Sequence, residues 1–248
     1  MFYYGKVGFN MISPFILSIL EHLPKGFVKF AGNKIFDGYV DKYANLKVSG
    51  VENLNGVKRP IIFVCNHLSN SDGVVLNKAL RNEDITFVAG VKLSGTPLTN
   101  LGFFAAKTIP IKPNSADKEA VSKIVHTLKS GGNVLIFPEG TRSRAKSMLE
   151  GKKGVVLFQK LTKAPIIPIG LTGTEDFLPI NDNDMGGEKF QSANVTMTIG
   201  KPIYYEDLPQ AKPGEDRHIH EKVQTDFIMK KIAELIPENY RGVYKDYQ

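Results

Sequence analysis

Two short segments of this chain hold side chains whose types and spacing could do chemistry. The first is Asn66-His67-Leu68-Ser69-Asn70-Ser71-Asp72, the second Phe137-Pro138-Glu139-Gly140-Thr141-Arg142-Ser143. In the first, an imidazole and a carboxylate stand five residues apart. With an unperturbed pKa near ~6.5, His67 could accept a proton from a hydroxyl at neutral pH. Asp72 could fix its tautomer and stabilise its charged form, as the carboxylate of a Ser-His-Asp triad does. A continuous helix would set the two side chains about 140° apart, so they meet only if His67 ends a strand, the chain turns, and Asp72 opens the next helix. Alone the pair is weak evidence, because a chain with these 5 histidines offers roughly a quarter of such a match by chance. The plainer reading makes Asp72 a helix cap and His67 a satisfied loop residue.

The second segment changes the balance. Gly140 permits close backbone approach, the Thr141 and Ser143 hydroxyls can donate hydrogen bonds, and the Arg142 fork suits a phosphate. Glu139 is unexpected in an anion site and is read as holding an arginine or a substrate hydroxyl. Each block follows an apolar run, Ile61-Ile62-Phe63-Val64-Cys65 or Val134-Leu135-Ile136-Phe137. Both therefore leave the ends of buried strands, where ligands bind in open α/β sheets.

Together the blocks resemble those of the glycerolipid acyltransferase superfamily, whose members carry a His-x4-Asp block and a Phe-Pro-Glu-Gly-Thr-Arg-Ser block in this order. The resemblance covers about residues 47 to 244. Val88-Ala89-Gly90-Val91-Lys92-Leu93 is similar to the stretch after the family's second strand. Ile109-Pro110-Ile111-Lys112-Pro113 is similar to the run that precedes a phosphate-binding Arg, yet Pro113 stands where that Arg belongs. Lys112 is the substitute the resemblance implies, with Lys107 as runner-up, and a lysine is a point charge without Arg's fork. Ala164-Pro165-Ile166-Ile167-Pro168-Ile169-Gly170 is similar to the strand lining the acyl-donor side, which implies donor contacts at Pro165, Ile167 and Pro168. The ending Leu235 to Tyr244 resembles that of bacterial members.

The implied activity is transfer of a fatty acyl group from a thioester, acyl-CoA or an acyl carrier protein, to the free hydroxyl of lysophosphatidic acid. His67 and Asp72 would be catalytic. Arg142, Lys112 or Lys107, Glu139, Gly140, Thr141 and Ser143 would form the phosphate pocket. Other acceptors remain open: glycerol 3-phosphate, another lysophospholipid or a lyso-aminolipid. No metal and no cofactor beyond the co-substrate is implied. An acyl-binding scaffold without activity fits poorly with both His67 and Asp72 in place.

These segments sit in an α/β frame. Strands are expected at 61–65, 86–90, 109–111, 134–137, 166–171 and 194–200. They alternate with helices, the clearest from Ser115 to Ser130, with Ser115 as cap and Val121, Ile124, Val125 and Leu128 as its buried stripe. Further helices are expected at 73–81 and 217–235, and a surface loop at 181–187. The predicted fold is a mixed, largely parallel sheet covered by helices, with an N-terminal helical hairpin.

That hairpin, residues 1–45, precedes an α/β domain of residues 46–248. Its apolar cluster from Phe2 to Leu23 is flanked by Lys6, Lys25, Lys29 and Lys34. Such a composition fits a helix pair lying in an anionic membrane interface, and equally one packed on the domain. The uncharged stretch Val7 to Leu20 has 14 residues, short of the roughly 20 that span a bilayer. No secretory cleavage site follows it. The expectation is a peripheral protein on the cytoplasmic side of the cell membrane.

A net charge of +7 points to an anionic partner. Nucleic acid is the partner from another class, but no recognised motif supports it. The single cysteine, Cys65, excludes an intrachain disulfide and reads as a buried small hydrophobe rather than a nucleophile. His22, His126, His218 and His220 lack metal-ligand spacing.

Overall fold

The computed structural model describes residues 23–90, 106–112, 115, 117–181, 188–211 and 213–246. The first helix of the expected hairpin, residues 91–93 of the third family-like stretch and all but Asn181 of the 181–187 loop lie outside them.

Seven strands form one sheet: β1 (Ala44–Ser49), β2 (Ile62–Cys65), β3 (Ile85–Gly90), β4 (Lys107–Ile111), β5 (Asn133–Ile136), β6 (Ile166–Thr172) and β7 (Ala193–Ile199). Their order is β1-β7-β6-β2-β5-β3-β4, and every neighbouring pair is parallel except β6 with β7. The sheet is thus mixed and largely parallel, as the alternation predicts. β2 and β5 are buried at every position, the near-continuous apolar run of a parallel strand covered on both faces. Pro110 lacks a ladder donor and falls in β4, an edge strand where that loss is tolerated. β1 was not anticipated. Its sequence Ala-Asn-Leu-Lys-Val-Ser does alternate apolar with polar residues, and Ala44 and Leu46 face the core, but the strand is mostly exposed and lacks the continuous apolar run of β2 and β5.

Successive side chains of each strand point to opposite faces, which splits the core in two. Ile62, Val64, Val134 and Ile136 pack beneath α3 (Lys118–Lys129), α4 (Gly154–Thr162) and α6 (Arg217–Ala233). Phe63, Cys65, Leu135 and Ile167 pack beneath α1 (Lys25–Tyr43), α2 (Asp72–Ala79) and α5 (Thr174–Phe177). Helix α3 has Ala120, Ile124 and Leu128 buried, with Val121 and Val125 half-buried. Its cap differs from expectation. Asp117 accepts from the amide of Ala120 at 3.0 Å, while the Ser115 hydroxyl donates to the Lys112 carbonyl at 2.9 Å. A carboxylate two residues nearer the helix wins the cap because it reaches a first-turn amide.

Helix α1 buries Val28, Phe36 and Val40 and leaves Phe27 and Phe30 exposed. A polar seam ties it to the domain: Asn77 donates to Asn33 at 2.7 Å, and Arg81 is bidentate to Asp37 at 2.7 Å for each bond. The second helix of the N-terminal segment is therefore packed on the domain along one face. Among the described residues no helix is long and apolar enough to cross a membrane.

Candidate active site

The site begins where β2 ends. Asn66, fully buried, turns its side-chain amide into one more rung of the ladder. Its Nδ2 donates to the Leu171 carbonyl and its Oδ1 accepts from the Leu171 amide, both at 2.8 Å. The amide does for β6 what backbone would otherwise do, so the main chain is released into a turn at His67. Asp72, the first residue of α2, closes that turn. Its Oδ2 accepts from the amides of Leu68 at 2.7 Å and Ser69 at 3.0 Å, and lies 2.7 Å from His67 Nδ1. Asp72 is fully buried, and its Oδ1 has no partner among the described residues. With Nδ1–H donated to Asp72, the lone pair of the imidazole sits on Nε2. His67 is 16% exposed along its side chain and lines a groove.

The second block holds the first by the backbone. Strands β2 and β5 are neighbours, with Val64 paired to Ile136, so their carboxyl ends emerge side by side. The Phe137 ring stacks on the imidazole with centroids 4.1 Å apart. The amide of Ser143 donates to the His67 carbonyl at 2.8 Å, and the His67 amide donates to Glu139 Oε1 at 3.0 Å. Glu139 Oε2 accepts from the Leu149 amide at 2.9 Å. Glu139 is therefore not a ligand for an arginine or a substrate hydroxyl. Only 2% exposed, it braces the histidine's own main chain, and burial pushes its carboxyl up to about 8.

The groove that His67 lines has a volume of about 460 Å³. Its walls are apolar over much of their extent, with Val88, Ile111, Val121, Ile124, Ile136 and Phe158 among them. Its polar lining includes His67, Asn70, Lys112, Gly140, Lys152 and Glu188. An apolar wall beside a mouth that carries His67, Lys112 and Lys152 suits an amphiphile with an anionic head.

The expected phosphate ligands divide. Gly140 and Lys112 line the groove, and Asp117 fixes Lys112 by accepting from its amide at 2.9 Å. Thr141 is exposed at the turn. Ser143 is buried, and its hydroxyl accepts from the amides of Ala145 and Ser147 at 3.3 and 3.4 Å, serving the loop. Arg142 is directed at buried Glu188, Nη1 to Oε1 3.3 Å, and Glu188 also accepts from Asn70 of the first block at 2.8 Å. Lys107 is a correction. It begins β4 at the opposite end of the sheet and pairs with Asp84 at 2.6 Å, because five residues of strand carry it away from the groove that Lys112 reaches. Pro165, Ile167 and Pro168 are a second correction. All three are buried around β6, Ile167 within the core beneath α1 and α2, and none lines the groove. A central strand flanked on both sides has no free face to offer a chain.

Cys65 is fully buried with its thiol pushed well up by desolvation, reinforced by the Asp72 and Glu139 carboxylates. It cannot serve as a thiolate nucleophile.

A family profile described as Acyltransferase matches residues 45–172, just over half of the chain. The chain belongs to the acyltransferase family. The matched span holds both blocks and the strands that present them. Among the relatives of this acyltransferase is the chloroplastic 1-acyl-sn-glycerol-3-phosphate acyltransferase BAT2 of Brassica napus, 28% identical over 63% of this chain and 44% of its own. The 1-acyl-sn-glycerol-3-phosphate acyltransferase of Bacillus subtilis is 25% identical over 77% of this chain and 87% of its own. The chain spans less than half the length of the plant relatives it matches. The crystal structure of the 1-acyl-sn-glycerophosphate (LPA) acyltransferase PlsC from Thermotoga maritima has a TM-score of 0.59 at 22% identity, over 86% of each chain. That likeness establishes a shared fold.

Sequence reasoning missed Asn66, Glu188 and Lys152. Asn66 adjoined the His-x4-Asp spacing and could have been found as a polar residue ending an apolar run. Glu188 carried no pattern at all.

Proposed function

We propose that this protein moves a fatty acyl group from a thioester donor to the free hydroxyl of lysophosphatidic acid, giving phosphatidic acid. The observation that carries the reading is the His67–Asp72 pair at 2.7 Å, at the basic mouth of an apolar groove of about 460 Å³. Nε2 of His67 takes the proton of the acceptor hydroxyl. The oxygen attacks the thioester carbonyl carbon, the C–S bond breaks, and the thiol leaves with the proton that His67 returns. No acyl-enzyme is required. The acyl chain lies along the Val88–Ile111–Val121 wall, and the acceptor phosphate faces Lys112 and the Gly140 turn. Arg142 adds its charge from behind Glu188. The donor is acyl-CoA or an acyl carrier protein bearing the same thioester.

The deciding experiment is turnover of purified protein with lysophosphatidic acid, lysophosphatidylcholine and glycerol 3-phosphate, each against both donors. His67→Ala should lower kcat by at least ~10²–10⁴-fold with an unchanged melting temperature. Near-normal turnover in that variant removes His67 as the base. A second acceptor reading has a specific basis: Lys112 precedes a proline where the resemblance implies an Arg, and the Glu188 carboxylate lines the groove. A lyso-aminolipid or another lysophospholipid preferred over lysophosphatidic acid in the panel would establish it.

The protein works at the cytoplasmic face of an anionic membrane. Support comes from Phe27 and Phe30, 53% and 62% exposed on α1 beside Lys29, a combination that inserts rings among acyl chains and offers a cation to headgroups. Phe27→Ser with Phe30→Ser should reduce co-sedimentation with phosphatidylglycerol vesicles, and undiminished pelleting would refute the contact.

A further inference from the structure

The groove holds one cation that no family block contains. Gly140 has φ +68°, and a Cβ built on it would lie 2.7 Å from Lys152 Nζ, 3.0 Å from Cε and 3.1 Å from Cδ. The Lys152 side chain therefore runs across the bare α-carbon of Gly140, and both residues line the groove with His67. A side chain at position 140 would be strained by its backbone angle and would push the ammonium away.

The root of this lysine is fixed on every side. Its amide donates to the Pro138 carbonyl at 2.9 Å, tying it to the strand exit. The preceding Gly151 amide donates to the Tyr244 hydroxyl at 3.0 Å. Met148, at the start of the same loop, donates its amide to the Tyr240 carbonyl at 2.8 Å. Gly242 (φ +53°) closes against the Met148 carbonyl with no room for a Cβ. The C-terminal segment thus straps the loop that presents Lys152. Arg142, the block's own guanidinium, is meanwhile directed at Glu188 and contributes nothing to the groove lining. A dianionic headgroup beside His67 needs positive charge that reaches into the groove itself.

We infer that Lys152, lying over Gly140, binds the phosphate of the acceptor and sets the preference of the site for a phosphorylated over an uncharged acceptor. The inference rests on the acceptor reading above. It gives the glycine of the second block a definite task, which is to clear the path of a lysine twelve residues on rather than to touch substrate itself. The adjacent Lys153 supplies an internal control, since its Nζ donates to the His218 carbonyl at 2.8 Å and it does not line the groove.

The test compares the wild type, Lys152→Met, Lys152→Arg and Lys153→Met on lysophosphatidic acid and on monoacylglycerol of the same chain, with acyl-CoA as donor. Lys152→Met should raise KM for lysophosphatidic acid by ~10-fold or more while kcat stays within about threefold. Its rate on monoacylglycerol should not fall, so the preference collapses. Lys152→Arg should restore most of the preference, and Lys153→Met should retain it. A wild type that prefers lysophosphatidic acid and a Lys152→Met variant that prefers it equally would overturn the inference while leaving the acceptor reading intact. A wild type with no preference between the two would overturn both.

Discussion

The two ends of the sheet use charge in opposite ways. At the amino end, carboxylates meet cations at the surface: Asp84 with Lys107 at 2.6 Å, Asp37 with Arg81 at 2.7 Å, and Glu83 with Arg59 at 3.5 Å. Such exposed pairs contribute about 0–1 kcal/mol each. At the carboxyl end four carboxylates are buried among the described residues, and three of them accept backbone amides: Asp72 from Leu68 and Ser69, Glu139 from His67 and Leu149, Glu188 from Asn181. Glu188 also takes Asn70 and Arg142, and the fourth, Glu175, takes the Tyr240 hydroxyl. Lysines 112 and 152 line the groove. Taking carboxylates out of the surface field and assigning them to hold the chain leaves the mouth basic. One end of the sheet is neutralised, and the other is kept able to attract an anion.

Glu139 gives the largest expected departure from this arrangement. In the unfolded chain its carboxyl ionises near 4.5, whereas in the fold burial raises it to about 8. Between those values the folded protein holds a proton that the unfolded chain has lost. The stability this contributes is full below the lower value and disappears as pH rises through the upper one. The urea midpoint should therefore decline between about pH 5 and about pH 9, by an amount on the order of 3 kcal/mol in unfolding free energy. Glu139→Gln should abolish that slope. The amide can accept only one of the two N–H donors, so His67 or Leu149 loses its brace, and a base displaced by about 1 Å costs ~10²-fold in rate. A Glu139→Gln enzyme with wild-type kcat and an unchanged pH slope would mean that the buried carboxylate holds nothing of consequence.

The parts legible in the sequence were those encoded by local pattern. Six apolar runs became β2 to β7 within two residues of their expected ends, and the order of blocks placed His67 and the Gly140 turn at adjacent strand exits. The spacing set the condition for His67 and Asp72 to meet, a strand end, a turn and a helix start, and the structure meets it with Nδ1 2.7 Å from Oδ2. Illegible parts depended on partners distant in sequence. Asn66 bonds Leu171 across 105 positions, and Gly151 bonds Tyr244 across 93. Glu139 looked like a ligand because its charge was visible and its burial was not. Strand β1, paired with β7 along an edge, carries a short alternation at Ala44, Leu46 and Val48, but only Ala44 is buried and it lacks the apolar run that marked the other six. Membership of one strand also concealed that Lys107 and Lys112 stand at opposite ends of it.

Those two lysines give the sharpest and mildest test of the comparison. They lie in one β-strand and its first following residue, have the same side chain and differ in which end of the strand they occupy. Lys112 lines the groove with its main chain held by Asp117, so Lys112→Met should raise KM for lysophosphatidic acid by roughly 5- to 10-fold and leave kcat nearly unchanged. Lys107, 49% exposed and paired with a 59% exposed Asp84, should tolerate methionine with less than about 0.5 kcal/mol lost and no change in KM. Both variants remove one positive charge from the molecule, so a long-range effect of net charge would weaken acceptor binding alike in the two. A difference confined to Lys112 requires the charge to act locally at the carboxyl edge. Equal KM shifts would instead mean that the whole basic surface draws the acceptor in, and that position on the sheet counts for little.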